Sequence, residues 1–170
     1  SAVLSALYLP IILMVVALIF RGVAFEIRFK ANRTKHLWDM AFIGGSIATA
    51  LLQGIILGAY IQGITIVDQR FAGGAFDWLS PFSVFTGIGV LVAYAALGCG
   101  WLILKTSQEL QADMYRLMPK LALALLVIFG IVSLWTPLNN PTIAERWFSM
   151  PQFFYFLPVP ILVLWCTYAI

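Results

Sequence analysis

The chain is 170 residues long, 62% apolar and 10% charged, with a mean hydropathy of +0.98. Soluble domains hold roughly 45 to 50% apolar and about 25% charged residues, so this balance excludes a soluble globular domain and indicates an integral membrane protein. The net charge of +3 comes from cations gathered beside apolar runs, the pattern of cytoplasmic membrane loops, and gives no ground for a nucleic-acid partner.

This composition predicts an all-α fold, a polytopic membrane helical bundle of about five transmembrane helices, read as a single transmembrane domain over residues 1–170. Crossing a hydrocarbon core of about 30 Å takes about 20 apolar helical residues. The first span is expected from residue 3 to about 28, with a kink at Pro10. The opening Ser-Ala-Val-Leu lacks the basic leader of a cleavable signal peptide, and Leu164 to Ile170 stay apolar with no closing charge. The sequence is therefore read as a piece of a longer protein.

A charged stretch follows the first span. From Arg21 to His36 it holds five of the ten Lys and Arg residues (Arg21, Arg28, Lys30, Arg33 and Lys35) and the single His. The second span is expected from about Leu37 to Ile61. There Gly44, Ile47, Leu51, Gly54 and Gly58 fall within roughly 80° of a helix turning about 100° per residue. Gly54-x-x-x-Gly58 is the small-residue spacing that lets two helices approach closely, so Gly44, Gly54 and Gly58 are expected to mark a packed face.

Residues 62–80 interrupt the apolar pattern. A short hairpin between Ile64–Val67 and Phe76–Leu79, turning at Gly73-Gly74, and an irregular interfacial loop both fit this segment. Ser80-Pro81 reads as a helix start, with Ser as N-cap and Pro in the first helical position. The third span runs from Pro81 to about Lys105. The polar stretch Thr106 to Arg116 has neither Gly nor Pro to stop a helix and is expected to extend the third helix or to lie along the surface.

The fourth span is expected from about Leu117 to Trp135, with Pro119 in its opening turns and Pro137 beyond its end. Thr142-x-x-Glu145 has capping-box spacing and predicts a turn or two of interfacial helix carrying Trp147 and Phe148. A fifth span follows Ser149, bent or broken at Pro158 and Pro160.

Charge fixes the expected orientation. Eight of the ten cations (Arg21, Arg28, Lys30, Arg33, Lys35, Lys105, Arg116 and Lys120) lie in the connections from the first span to the second and from the third to the fourth. Both connections are therefore expected in the cytoplasm.

Redox and hydrolytic chemistry find few residues here. A haem or metal centre needs several His, Cys, Met or carboxylate groups converging on one point, and His36, the single His, stands at a loop edge. Cys99 and Cys166 lie inside apolar runs, where a thiol behaves as a small hydrophobe. Gly87-Ile-Gly89 lacks the strand and third Gly of a dinucleotide fingerprint and reads as helix packing. Two carboxylates admit two readings. Glu26 stands among Arg21, Arg28 and Lys30 as a structural ion pair, and Asp39 is placed in the first turn of the second span, where it complements the positive helix end. Alternatively, ionisable groups at a membrane edge feed protons inward or hold a partner subunit.

The motif Arg21-Gly-Val-Ala-Phe-Glu-x-Arg-x-Lys30, followed by Trp38-Asp39, resembles the signature of subunit II of cytochrome bd-type, cyanide-insensitive quinol oxidases. Gly45-Ser46, Gln62-Gly63, Leu79-Ser-Pro-Phe82, Gly100-Trp-Leu, Lys105-Thr106 and Glu109-Leu-Gln111 are similar to the family in the same order. The resemblance covers roughly residues 15–115; the last third is similar in hydropathy. It implies an all-helical subunit that pairs with a larger subunit I holding haems b and d and the quinol site. Together they pass electrons from quinol to oxygen, giving water, in the bacterial inner membrane. It further implies that this subunit binds no haem itself, and that in some members it holds a structural quinone. Arg21, Glu26, Arg28, Trp38 and Asp39 then become candidates for assembly or a proton path. The family's N-terminal helices, with a Gly-Phe-Asp region and further acidic residues, and its C-terminal helices have no counterpart in these 170 residues. Read from its broken last helix and glycine-rich second helix alone, the chain also fits a piece of a secondary transporter or channel.

Overall fold

The computed structural model describes residues 2–31, 33–63, 66–67, 70–71, 73–74, 76–139, 161 and 165. Four long helices dominate: α1 (Ala2–Lys30), α2 (Lys35–Gln62), α3 (Pro81–Lys105) and α4 (Glu109–Asn139). Each is long and apolar enough to cross a membrane. Many of their large apolar side chains, among them Ile12, Val16, Ile19, Leu57, Leu97 and Phe129, are exposed. Apolar outward surface with every backbone group bonded inside the helix is what a hydrocarbon solvent demands. The interfacial turn at 142–148 and, apart from residues 161 and 165, the expected fifth span lie outside the described residues.

The helices fall into two compact units, Ser1–Leu91 and Val92–Ile170, the division falling within α3. In the first, α1 and α2 form an antiparallel hairpin. Ala6 and Leu7 of α1 pack with Ile55 and Ala59 of α2 and with Trp78. α1 stays helical through Pro10, which is almost completely buried. Farther along, Ala24 is fully buried, and a Cβ added to Gly45 would stand 2.9 Å from the Ala17 carbonyl oxygen. The missing side chain at Gly45 is thus what lets the two backbones meet.

On its other side α2 meets α3 through glycines from both helices. A Cβ on Gly54 would lie 2.6 Å from Gly87 Cα, and one on Gly58 would lie 2.6 Å from Ser83 Cα. Gly87 answers from α3, where a Cβ would come within 2.9 Å of the Leu51 carbonyl oxygen. Gly44 differs from the sequence expectation: a Cβ there meets nothing within 4 Å.

Between α2 and α3 lies a two-stranded antiparallel hairpin, β1 (Ile66–Val67) and β2 (Arg70–Phe71), paired Ile66 to Phe71 and Val67 to Arg70. The paired segments differ from those considered in the sequence: they are 66–67 and 70–71, not Ile64–Val67 and Phe76–Leu79. Gly74 is taken up instead by a tight turn, in which its amide donates to Asp77 Oδ2 at 2.8 Å and the Asp77 amide donates back to the Gly74 carbonyl at 3.3 Å.

The start of α3 follows its sequence signals. The Ser83 amide donates to Ser80 Oγ at 3.1 Å, and the Ser80 amide donates to Ser83 Oγ at 3.0 Å. This reciprocal pair satisfies two amides of the helix entry, with Ser83 in the position a capping box usually gives to Glu or Gln. Ser83 is fully buried, and its oxygen lies 2.6 Å from the Trp78 carbonyl. Ser80 Oγ also donates to Gln62 Oε1 at the end of α2, so the helix cap and the Trp78 turn are tied to the helix before them.

In the second unit, α4 begins at Glu109, eight residues before the expected Leu117. The polar stretch neither extends α3 nor lies apart; most of it forms the first turns of α4. The break comes at Gln108, which takes a left-handed backbone with φ 64°. The α3 carbonyls near this break find side-chain donors: Thr106 Oγ1 to Leu102 O at 2.7 Å and Gln111 Nε2 to Ile103 O at 2.9 Å. Pro137 lies inside α4, not beyond it. Buried Cys99 of α3 donates its thiol to the Met114 carbonyl of α4 at 3.3 Å.

Candidate functional site

The candidate residues gather where α1 ends and α2 begins. The Ala31 amide closes α1 on the Ile27 carbonyl at 2.9 Å, and the Leu37 amide opens α2 on the Thr34 carbonyl at 3.0 Å. Because so few residues separate the helices, α2 runs straight back along α1. That brings Asp39 level with Arg28, and Arg28 Nε donates to Asp39 Oδ1. Their side chains are 41% and 39% exposed, so water and salt screen the pair only in part.

This pairing corrects the reading of Asp39 as a helix-end carboxylate. α2 starts at Lys35, earlier than expected, so Asp39 lies one turn in and the first turn holds no acid. Asp39 answers a cation on the neighbouring helix and not the dipole of its own. Glu26 is separate from this contact. It pairs with Lys30 one turn along α1 at 3.6 Å, with side chains 77% and 78% exposed; a contact so open contributes little to stability. Five residues of helix put Arg21 about 140° around from Glu26, and Arg21 instead sets its guanidinium 5.4 Å from the Phe42 ring centroid. Such a cation over an aromatic face is attracted by the ring quadrupole.

Aromatic contacts extend the patch. Phe25 meets Phe29 edge-on at 5.3 Å and Phe42 at 6.3 Å. Trp38 is half-buried, and its amide reaches the Thr34 carbonyl at 3.3 Å. The structure therefore joins Arg28 with Asp39 and Arg21 with Phe42, and leaves Glu26 outside both. Sequence reasoning gave Phe42 no role and noted Gly45 only within the family motif, not as a packing position. The signal was available: Trp38, Phe42 and Gly45 recur at helical spacing and make a second stripe on α2, turned toward α1, beside the Gly54 and Gly58 stripe turned toward α3.

Other polar groups are accounted for locally. Ser46, Thr49 and Thr86 hydroxyls donate to the carbonyls of Phe42, Gly45 and Phe82, four residues back, at 2.8, 2.7 and 2.9 Å. Hydroxyls bonded into their own helices are not arranged around a solute. His36 is exposed, and among the described residues no three His, Cys, Asp or Glu side chains converge as a metal site would require.

Comparison with known proteins fits these features. The model of the family described as cytochrome bd terminal oxidase subunit II matches residues 1–170. The chain is 29% identical to cytochrome bd-I ubiquinol oxidase subunit 2 of Escherichia coli K12 over 142 residues, 79% of this chain and 38% of that protein. It is 27% identical to a probable cytochrome oxidase subunit 2 of Haemophilus influenzae over 139 residues, 77% of this chain and 36% of that protein. With cytochrome bd ubiquinol oxidase subunit 2 of Bacillus subtilis it shares 28% identity over 114 residues, 65% of this chain and 34% of that protein. The chain spans little more than a third of the length of these relatives, and none of them supports the transporter or channel reading. A family match over its whole length, carried on four helices able to cross a membrane, makes this chain a multi-pass membrane protein of the cytochrome bd terminal oxidase subunit II family.

Proposed function

We propose that the chain is the part of a bd-type terminal oxidase subunit that supports assembly with a larger, haem-bearing subunit I in the bacterial inner membrane. The complex oxidises quinol and reduces oxygen to water. The observation that carries this reading is the family match over residues 1–170. Haems b and d belong to the partner: this chain offers one exposed His, and its buried Cys99 thiol is spent on a backbone carbonyl. A structural quinone and membrane lipid remain candidates for the apolar outer faces of the helices, and quinol reaches the chain only through the complex.

Within that complex, Arg21, Arg28, Trp38 and Asp39 set the angle at which α1 and α2 meet the cytoplasmic edge, and Glu26 is presented outward to a partner. The exposed Phe25 and Phe29 beside them suit a protein neighbour. This assembly reading is favoured over proton delivery because the one carboxylate drawn between the helices, Asp39, is already held by Arg28. The experiment is to purify the full-length subunit under mild detergent and record a haem spectrum. Haem b and d bands from a co-purifying larger subunit support the reading, and a stable subunit that retains no haem-bearing partner contradicts it.

A further inference from the structure

The end of the α1–α2 hairpin remote from the charged connection, its outer end, is closed by a residue of neither helix. Trp78 belongs to the connection between α2 and α3, and connecting segments ordinarily run over the surface. Here Trp78 is only 8% exposed and packs with Ala6 and Leu7 of α1 and with Ile55 and Ala59 of α2. The backbone on either side holds it in place. The Leu79 amide donates to the Phe76 carbonyl at 2.9 Å, and the fully buried Ser83 hydroxyl donates to the Trp78 carbonyl at 2.6 Å.

The two ends of the hairpin differ in what fills them. Among the described residues of α1 and α2, the buried side chains larger than alanine are Leu7, Pro10 and Ile55, all in the outer halves of their helices. From mid-helix toward the connection the buried positions include Ala17, Ala24 and Gly45, and the Arg28 and Asp39 side chains beyond them are 41% and 39% exposed. Small residues let two backbones meet, but they leave the end of a two-helix seam to be covered by another segment, and an indole brings a large apolar surface to that task. We propose that Trp78 is a plug that shuts the outer end of the α1–α2 seam against water, so that the hairpin is wetted only at its Arg28–Asp39 end. The closure rests on the packing around Trp78, and its outward direction rests on the orientation expected from the cations.

The test measures water access to Ala59, which is 6% exposed and packs in the same cluster as Trp78. The full-length subunit, in its complex and with Cys99, Cys166 and other native Cys removed, carries Ala59→Cys, and its reaction with an impermeant thiol reagent is followed on sealed cells. With Trp78 in place the thiol is expected to react slowly. Combined with Trp78→Ala it should react at least about ten-fold faster, because truncating a buried Trp leaves a cavity that its neighbours fill only in part. Trp78→Phe should keep the slow rate, and Trp78→Leu should give an intermediate one, which carries the test if Trp78→Ala does not assemble. Fast reaction beside the intact Trp78, or no acceleration in either truncated variant, would overturn the plug. Phe76→Cys, strongly exposed on the same connection, reports the orientation separately: its labelling in inverted vesicles alone would overturn the outward direction and leave the fault with the topology.

Discussion

Arg28 and Asp39, eleven positions apart, are joined side chain to side chain across the turn between α1 and α2. A bond of this span does more than an ion pair within one helix, because it fixes where the second helix sits against the first. Glu26 and Lys30 illustrate the difference, being bonded within one turn of α1 and constraining nothing beyond it.

Breaking the Arg28–Asp39 pair is expected to cost stability in a coupled way. Asp39→Asn and Arg28→Gln should each lower the thermal midpoint of the detergent-purified protein, and the double variant should lose less than their sum. For a pair that is partly exposed, a coupling of about 0.5 to 1 kcal/mol is the expected size. Strictly additive losses would show that the two side chains act independently.

Glycine positions on α2 should differ sharply although they are neighbours in sequence. Gly45→Ala and Gly54→Ala drive a methyl group against backbone atoms at 2.9 and 2.6 Å, and forced overpacking of this kind costs about 1 to 3 kcal/mol. Gly44→Ala enters open space and should be neutral. Thermal unfolding of the three variants side by side checks the order, and a Gly44→Ala loss equal to that of Gly54→Ala would refute the helix contacts described.

Removing the cap of α3 should also be measurable. Ser80→Ala deletes the oxygen that receives the Ser83 amide and the donor to Gln62 Oε1, and loss of a Ser cap costs about 1 kcal/mol. Ser83→Ala should cost more, because the fully buried Ser83 hydroxyl also donates to the Trp78 carbonyl. Equal stability of both variants and the parent would mean that the entry to α3 is held by packing alone.

The extent to which this architecture was legible in the sequence followed the physics of each signal. Apolar runs long enough to cross a bilayer have no soluble competitor, so α1, α2 and α3 lie within a few residues of their expected bounds. α4 begins earlier than expected because the break that ends α3 carries an unusual signal. Helix ends are read from Gly or Asn in the left-handed region, and here Gln108 takes that conformation. Thr106 and Gln111 donate to α3 carbonyls at this break, contacts that only the structure reveals. Gly73-Gly74 drew the hairpin turn toward itself for the same reason in reverse, since paired glycines permit a turn without requiring one. At the candidate site, Arg28 and Asp39 were both visible, but their partnership depended on the length of the connection and the first residue of α2. Neither is fixed by hydropathy.

Orientation gives a separate prediction. Residues 21–36 and 105–120 are expected in the cytoplasm and residues 62–80 outside, from the concentration of cations in the first two segments. In a full-length subunit with Cys99 and Cys166 replaced by Ser and other native Cys removed, a single Cys at Gly73 should react with an impermeant thiol reagent on sealed cells. A single Cys at Asn32 should stay unlabelled, and labelling there would reverse the topology.

The most direct test of the assembly account is oxygen consumption per haem, measured with haem content, in the full-length subunit carrying Glu26→Gln or Asp39→Asn. Neither carboxylate is a redox group, and each is engaged by a cation of this chain. The account predicts that the variants yield less haem-bearing complex, most clearly for Asp39→Asn, while the complex that forms turns over at the parent rate per haem. Normal haem content with strongly reduced turnover per haem would contradict it and make the affected carboxylate part of a proton path.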